Sequence, residues 1–386
     1  MIPYGKQTIT DLDISEVSLA VSSDFITQGP RVEKFERDMS LYVGCEYGVA
    51  VNSGTSALHI ACLALGAGKG DYIWTSPMSF VASSNCALYC GSMIDFVDID
   101  KQSGLMCVDA LEAKLKLGKK NGKIPKILIP VHFAGQPCDM KRMYELSCEY
   151  GFKIIEDACH ALGAEYESFK KVGSCQYSNI TVFSFHPVKM ITTGEGGMAM
   201  TNDKVLSTYM RRLRSHGVVK TPNMDPWYYE QIEMGFNYRM TDISASLGIS
   251  QLTRIDDFVN RRIEISNLYD SKILSKDIRP IKRKGKAKSS FHLYPILTKG
   301  SRERRELYTL FHENNIKVQV HYIPIYKQPY YRRMQFDSFP NCEYFYDRIL
   351  SIPIFPGLSI EDQNSVILIL NKVGFTNVIQ SETVNF

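Results

Sequence analysis

Over its first two thirds the chain alternates short apolar runs of strand length with helical patterns, and this alternation restricts the fold more than any other feature. The runs are Tyr47–Val51, Tyr72–Thr75, Ser92–Val97, Ile127–His132, Lys153–Glu156, Ile180–Ser184 and Gly197–Thr201. Each is rich in β-branched or aromatic residues and bounded by Gly, Pro, Asp or Ser, the pattern of strands covered on both faces. An α/β fold with one large, seven-stranded, mostly parallel sheet is therefore expected. From about Met240 to Ser271 the pattern turns helical, with Leu247, Leu252, Ile255, Phe258 and Ile263 on one face and Arg254, Arg261 and Arg262 towards the other. One long helix should link the sheet to the C-terminal third of the chain. Beyond it, Phe291–Leu297 and Lys317–His321 read as strands, and Arg302–Asn314 and Ser359–Val373 as helices, which makes a smaller C-terminal α+β domain. A chain of 386 residues exceeds the size at which a single core stops growing, so two domains are expected: residues 1–250, and residues 251–386 with the linking helix.

Charge and cysteine usage remove several classes of function. A formal net charge of +4, with Lys and Arg spread among Asp and Glu, makes no field suited to nucleic acid or a membrane surface. The longest basic run, Arg279-Pro-Ile-Lys-Arg-Lys-Gly-Lys-Ala-Lys288, has no interleaved aromatics to stack on bases and reads as a solvated loop. Ten cysteines are scattered from Cys45 to Cys342 without a CxxC pair, which suits reduced thiols in a core. The start, Met-Ile-Pro-Tyr-Gly-Lys, has no charged and apolar leader pattern, and no window holds about 18 uninterrupted apolar residues. A cytoplasmic, soluble enzyme is expected.

Three segments carry chemistry. Asn52-Ser-Gly-Thr-Ser-Ala-Leu-His-Ile-Ala61 is a strand end, a glycine turn with hydroxyl residues and an amphipathic helix. The free N–H groups at that helix start, beside Gly54, Thr55 and Ser56, can hold a phosphate, and the same hydroxyls can serve as simple caps. Ile154-Ile-Glu-Asp-Ala-Cys-His160 places Asp157 at a strand's carboxyl end, where α/β sheets bind ligands, with His160 three positions on. Asp157 is suited either to hold the ring nitrogen of a pyridine cofactor or to cap the next helix. Phe183-Ser-Phe-His-Pro-Val-Lys189, followed by a loop closed by Gly194, Gly196 and Gly197, delivers Ser184 to the sheet edge and Lys189 into a tight turn. A lysine desolvated there loses proton affinity and becomes a nucleophile. His186 either buttresses this loop or acts in it. His132, His216 and His292 lack partners at metal-ligand spacing and read as core or interface histidines, with no metal site expected. His59 lies on an apolar helix stripe, and Cys86 and Cys90 fall on one helix face as core residues.

In this order, phosphate turn, strand-end acid and lysine resemble the fold type I enzymes that use pyridoxal phosphate (PLP), and more specifically the DegT/DnrJ/EryC1/StrS sugar aminotransferases. Further stretches carry that resemblance: Thr27-Gln-Gly-Pro30, Pro130-Val-His-Phe-Ala-Gly-Gln136, Gly235-Phe-Asn-Tyr-Arg-Met240 and His321-Tyr-Ile-Pro324. It implies that Lys189 binds PLP covalently and Asp157 meets the pyridine nitrogen, the two being the catalytic pair. His160 would contact O3′, Phe80 would stack on the ring, and Gly54, Thr55, Ser56 and Ser184 would bind the phosphate. Asn237 would reach the phosphate and substrate of a neighbouring subunit, so a homodimer with shared sites is implied. Tyr4, Ile26, Thr27, Gln28, Gly29, Ser184, His321, Tyr322, Ile323 and Pro324 would line the substrate pocket. Met78 and Cys159 depart from the residues frequent beside these contacts. Ile2-Pro-Tyr-Gly, Ser23-Asp-Phe-Ile-Thr-Gln-Gly-Pro30, Ser84-Asn-Cys-Ala-Leu-Tyr-Cys-Gly91 and Trp227-Tyr-Tyr-Glu resemble members that aminate a UDP-linked 4-keto sugar with L-glutamate as donor. Other nucleotide-linked 4-keto or 3-keto sugars stay open as substrates. PLP-dependent sugar dehydratases of the same family carry histidine where this chain has Lys189.

Overall fold

A computed structural model describes residues 1–221, 224–283 and 285–372. Helices α1 (Asp11–Val21) and α2 (Pro30–Val43) precede β1 (Tyr47–Val51). Then come α3 (Gly54–Ala64), β2 (Tyr72–Thr75), α4 (Ala82–Tyr89), β3 (Met93–Phe96), α5 (Val108–Asn121), β4 (Ile127–Ile129), α6 (Met140–Tyr150), β5 (Lys153–Asp157), β6 (Ile180–Ser184), β7 (Gly197–Thr201) and α7 (Lys204–Arg214). The strands form one sheet in the order β1-β7-β6-β5-β4-β2-β3. β7 runs opposite to the other six strands. The seven strands expected for this sheet are all present, and β4 and β7 are buried along their whole length, as strands covered on both faces must be. Local chemistry sets the helix starts: the Ser53 hydroxyl accepts from Ser56 N–H at α3, and the Asp203 carboxylate accepts from Val205 and Leu206 at α7.

After α7 the chain makes a ribbon of β8 (Val218–Val219) and β9 (Glu230–Gln231), then α8 (Asp242–Leu252) and α9 (Ile255–Lys272). A three-stranded antiparallel sheet comes next, from β10 (Arg279–Pro280), β11 (Tyr294–Leu297) and β12 (Ile349–Ile352). It packs with α9, α10 (Ser301–Glu313) and α12 (Ile360–Lys372), while α11 (Pro340–Tyr346) leads into β12. Tyr269, Ile296, Leu307, Phe311, Val366 and Leu370 form a second core here, separate from the core around the large sheet. Cutting Phe311 or Leu370 to Ala would cost about 2–5 kcal/mol.

The structure corrects four of the expectations. The helix expected as continuous from Met240 to Ser271 is two helices, α8 and α9, broken at Thr253 and Arg254. The break is stabilised from afar: the Arg254 guanidinium bonds the buried Asp13 carboxylate, which also accepts from Ser250 and Gln251. Arg262 does not face outward but is 2 % exposed, its Nη1 donating to the carbonyls of Phe291, His292 and Ile354. The expected strand Lys317–His321 is extended chain joined to β12 by a single bridge, Gln319 to Ser351. The basic run is not all solvated loop, since Arg279 and Pro280 form β10 and the Lys288 backbone pairs with Glu165. Smaller differences lie at element ends. β4 stops at Ile129 because Pro130 comes directly after it, and Val373 of the expected last helix lies outside the described residues. All ten cysteines are free thiols. Among the described residues no helix is long and apolar enough to cross a membrane, and no cluster of three His, Cys, Asp or Glu could hold a metal.

Candidate active site

The carboxyl edge of the large sheet brings the three chemical segments together. Gly197 opens β7 between Val51, the last residue of β1, and Ser184, the last of β6. Asp157 ends β5 next to Val182. A Cβ on Gly197 would lie 2.4 Å from the Ser53 carbonyl oxygen and 2.5 Å from the Gly54 nitrogen, so only glycine lets β7 pass beneath the start of α3. Gly54 is also tightly packed, a Cβ there lying 2.9 Å from the Ser184 Cβ. The first-turn N–H groups of α3 have no intrahelical acceptors and face this edge. A cavity of about 490 Å³ opens here. Another of about 530 Å³ lies beside Cys138 and Glu167, but its lining has no histidine and its Tyr166 is already bonded to Glu156.

Lys189 enters the cavity from the β6–β7 hairpin. Phe185 N–H bonds the Gly196 carbonyl, Thr193 N–H bonds the Phe185 carbonyl, and Lys189 N–H closes a turn on His186, which together hold the loop shut. Burial lowers the pKa of the Lys189 amine, against the opposing charge of Asp157. Burial, and then Asp157, push the Cys159 thiol well above its ordinary range, so it stays protonated. Lys189 thus brings to the cavity an amine that burial makes easier to deprotonate, the form in which a lysine can act as a nucleophile.

Asp157, 5 % exposed, accepts from the Ser83 hydroxyl at 2.6 Å and from Cys159 N–H at 3.2 Å. His160 sits beside it, with Ala134 N–H donating to its Nδ1 at 3.3 Å. That bond leaves the ring hydrogen on Nε2, 3.0 Å from the Tyr322 hydroxyl. Burial, and then the Lys189 charge, drive the His160 pKa well down, so the ring is a neutral donor. The Ala134 N–H is presented by a tight turn in which Ala134 and Gly135 both have positive φ, 59° and 95°. His321 bonds Ser351 and is pushed down to about 3 by burial and Lys189.

Of the expected site residues, Gly54, Thr55, Phe80, Asp157, His160, Ser184 and Lys189 line the cavity, with Tyr4, His321 and Tyr322. Phe80 is 59 % exposed, its ring presented to the opening. Ser56 stands behind the wall, its hydroxyl bonded to Asn52. Ile26, Thr27, Gln28, Gly29, Asn237, Ile323 and Pro324 do not line the cavity of their own chain. Ile26, Thr27, Gln28 and Asn237 are exposed, and the 27–29 turn is anchored by Asp242 accepting from Gly29 and Arg31 N–H and by pairing of Thr27 with Thr241.

The cavity also holds groups that the motifs did not single out. His292, whose sequence context reads as structural, lines it at 4.5 Å from the His160 ring, and its buried Nδ1 has no partner among the described residues. It arrives through long-range folding, and no local signal marks it. Glu195 lines it from the lysine loop and Ser83 from α4, with proximity to Lys189 and a place three residues after Phe80 as their signals; His186, whose role the sequence left open, lines it too. His132 and His59 are core histidines, bonded to Glu156 and Tyr238.

Known proteins share this fold and much of this sequence. A transaminase from Campylobacter jejuni subsp. jejuni serotype O:23/36 (strain 81-176), UDP-4-amino-4,6-dideoxy-N-acetyl-β-L-altrosamine transaminase, is 38 % identical over 381 residues, 97 % of this chain and 98 % of that protein. Helicobacter pylori PseC, an aminotransferase of pseudaminic acid biosynthesis, superposes with a TM-score of 0.89 at 30 % identity over 97 % of this chain and 99 % of that one. The sugar aminotransferase Spr1654 from Streptococcus pneumoniae, solved in a pyridoxamine phosphate (PMP) form, has a TM-score of 0.89 at 29 % identity, covering 97 % of this chain and all of that one. The model of the DegT/DnrJ/EryC1/StrS aminotransferase family matches residues 7–371, and with a lysine amine facing a strand-end carboxylate above a glycine-lined helix start, the chain belongs to that family and is a sugar aminotransferase.

Proposed function

We propose that the chain uses PLP, carried on Lys189, to move the amino group of L-glutamate to C4 of UDP-2-acetamido-2,6-dideoxy-β-L-arabino-hex-4-ulose. The product would be UDP-4-amino-4,6-dideoxy-N-acetyl-β-L-altrosamine. The observation that carries the reading is the Lys189 amine, lowered in pKa by burial, in one cavity with Asp157. The name of the Campylobacter relative supports the sugar.

The residues fit PLP. The N–H groups at the start of α3, with the Thr55 and Ser184 hydroxyls, suit its phosphate, Asp157 its ring nitrogen, Phe80 its ring face and His160 Nε2–H its O3′. When bound, the cofactor supplies an electron sink for the negative charge that develops on the reacting carbon. Asp157 would keep the ring nitrogen protonated. Lys189 would move a proton between the donor Cα and the cofactor C4′, and would return one to the sugar C4. Burial lowers the proton affinity of its amine and so favours the neutral form that acts as a base. The buried walls exclude water while charge develops.

The active unit in this reading is a homodimer. Asn237 and Ile26–Gly29, which lie outside their own cavity, would complete the neighbour's, and Tyr4, His321 and Tyr322, with Ile323 and Pro324, would hold the sugar nucleotide. The division into residues 1–250 and 251–386 belongs to the same proposal, with limited proteolysis between α8 and α9 as its check.

The test is the visible absorbance of the PLP-loaded protein before and after L-glutamate, for wild type and Lys189→Ala. Loss of the lysine-bound band in wild type alone, and its return with the UDP 4-keto sugar, is expected. A wild-type protein that never responds to an amino donor would sink the aminotransfer reading of the site. A response to L-glutamate that only a GDP- or dTDP-linked sugar, or a 3-keto sugar, reverses would replace the substrate.

A further inference from the structure

We infer that Ser83 is a positioning residue for this reaction, its hydroxyl tying the start of α4, and with it Phe80, to the Asp157 carboxylate. The inference rests on the reading of Asp157 as the group that meets the pyridine nitrogen. Ser83 is 1 % exposed and lies in the first turn of α4, its backbone N–H bonded to the Phe80 carbonyl at 3.3 Å. Its Oγ is 2.6 Å from Asp157 Oδ2, in the short range of a bond to a charged acceptor. The Ser83 hydroxyl has one hydrogen, and the carboxylate takes it. Ser79 Oγ, 2.8 Å away and 4 % exposed, must then donate to Ser83, so two hydroxyls run in series into Asp157.

Two walls of the cavity meet through this chain. Phe80 stands on the turn before α4, and Asp157 stands on β5, so nothing local sets the distance between ring face and acid. The Ser83 bond sets it. It also fixes carboxylate rotation: with Oδ2 held by Ser83 and Oδ1 touched by Cys159 N–H, the acid presents one defined lone-pair direction to the cavity. A carboxylate free to rotate would meet a ring nitrogen in several orientations and lose part of each.

The experiment measures PLP affinity and the visible circular dichroism of the bound cofactor for Ser83→Ala, Ser83→Thr and Ser79→Ala, with the melting temperature of each cofactor-free variant as a fold control. Losing a hydrogen bond to a charged acceptor weakens PLP binding by about tenfold or more in Ser83→Ala. The dichroism falls as the ring loses its fixed setting. Ser83→Thr, which keeps the hydroxyl, restores both, and Ser79→Ala shows a smaller change in the same direction. With Asp157→Ala as background, Ser83→Ala then changes affinity less than about twofold. Wild-type affinity and dichroism in Ser83→Ala overturn the inference, as do equal damage in Ser83→Thr and an undiminished effect without Asp157. A wild type that fails to hold PLP, or an Asp157→Ala variant that binds it unchanged, overturns the reading of the site itself and is distinguishable because it does not depend on residue 83.

Discussion

Replacing Glu156 by Gln tests how the strand carrying Asp157 is held. Glu156 precedes Asp157 on β5 and is fully buried. Its Oε2 accepts from His132 Nε2 at 2.8 Å and Tyr166 at 2.5 Å, its Oε1 from Ser178 at 2.5 Å and Thr181 at 3.1 Å. Cys138 N–H donates to His132 Nδ1, which leaves the ring hydrogen on Nε2 for Glu156. Burial alone raises the pKa of a carboxyl, yet these donors, His132 foremost, outweigh it and lower the pKa of Glu156. The direction fixes the sign: in the folded protein the charged form is worth more than its burial costs. In Gln one neutral oxygen can still accept from His132 and Tyr166, but the –NH2 in the place of Oε1 cannot accept from Ser178 and Thr181, whose hydroxyls must turn to accept from it; the set weakens by about 1 kcal/mol per bond, and relief from burying a charge returns part of that. The net loss should be about 1–3 kcal/mol at pH 7. Because the folded pKa lies below the unfolded value, the wild-type advantage is complete above the ordinary 4.5 and fades as pH falls through the lowered value. Urea midpoints of cofactor-free wild type and Glu156→Gln from pH 7 down to pH 3.5 should show a gap that shrinks below about pH 4.5. A variant as stable as wild type at pH 7, or a gap constant with pH, would refute this account.

The geometry sets three further outcomes. PLP capture by Lys189 should persist well below the ordinary lysine value of 10.5, because burial keeps more of the amine neutral; borohydride trapping against pH checks this, and a midpoint at or above 10.5 would contradict it. Gly197→Ala puts a Cβ 2.4 Å from the Ser53 carbonyl oxygen and should cost about 1–3 kcal/mol in thermal stability while weakening PLP binding, and unchanged values for both would show that the turn can yield. Arg262→Met removes the donor shared by three carbonyls around Phe291, His292 and Ile354 and should cost about 3–5 kcal/mol by urea denaturation, with a loss under 1 kcal/mol counting against the clamp.

Much of the large sheet was legible because a buried strand announces itself within a few residues. Tyr47–Val51, Tyr72–Thr75, Ile180–Ser184 and Gly197–Thr201 match the observed strands end to end. The α8–α9 break was not legible, since the hydrophobic period runs through Thr253 while the Asp13 carboxylate that secures Arg254 lies far away in sequence. Arg262 read as an outer residue for the same reason: its acceptors are carbonyls, which any sequence supplies and only folding gathers. Lys317–His321 has strand composition, but it meets β12 at one residue.

The sequence by itself determined the order of most strands and helices, the glycines that close the lysine loop, and the lysine, acid and hydroxyl residues that chemistry at the sheet edge needs. Each of these is written in a short window, where periodicity, turn geometry and residue type act between neighbours. Only the tertiary structure decided that Ser83 bonds Asp157, that Ala134 N–H sets the tautomer of His160, and that His292 joins the cavity wall. These contacts join residues 74, 26 and, for the Ser290 hydroxyl bonded to the His160 carbonyl beside His292, 130 positions apart. Their partners are common groups, N–H, hydroxyl and carbonyl, so selection among them comes from where packing of the large sheet brings the backbone.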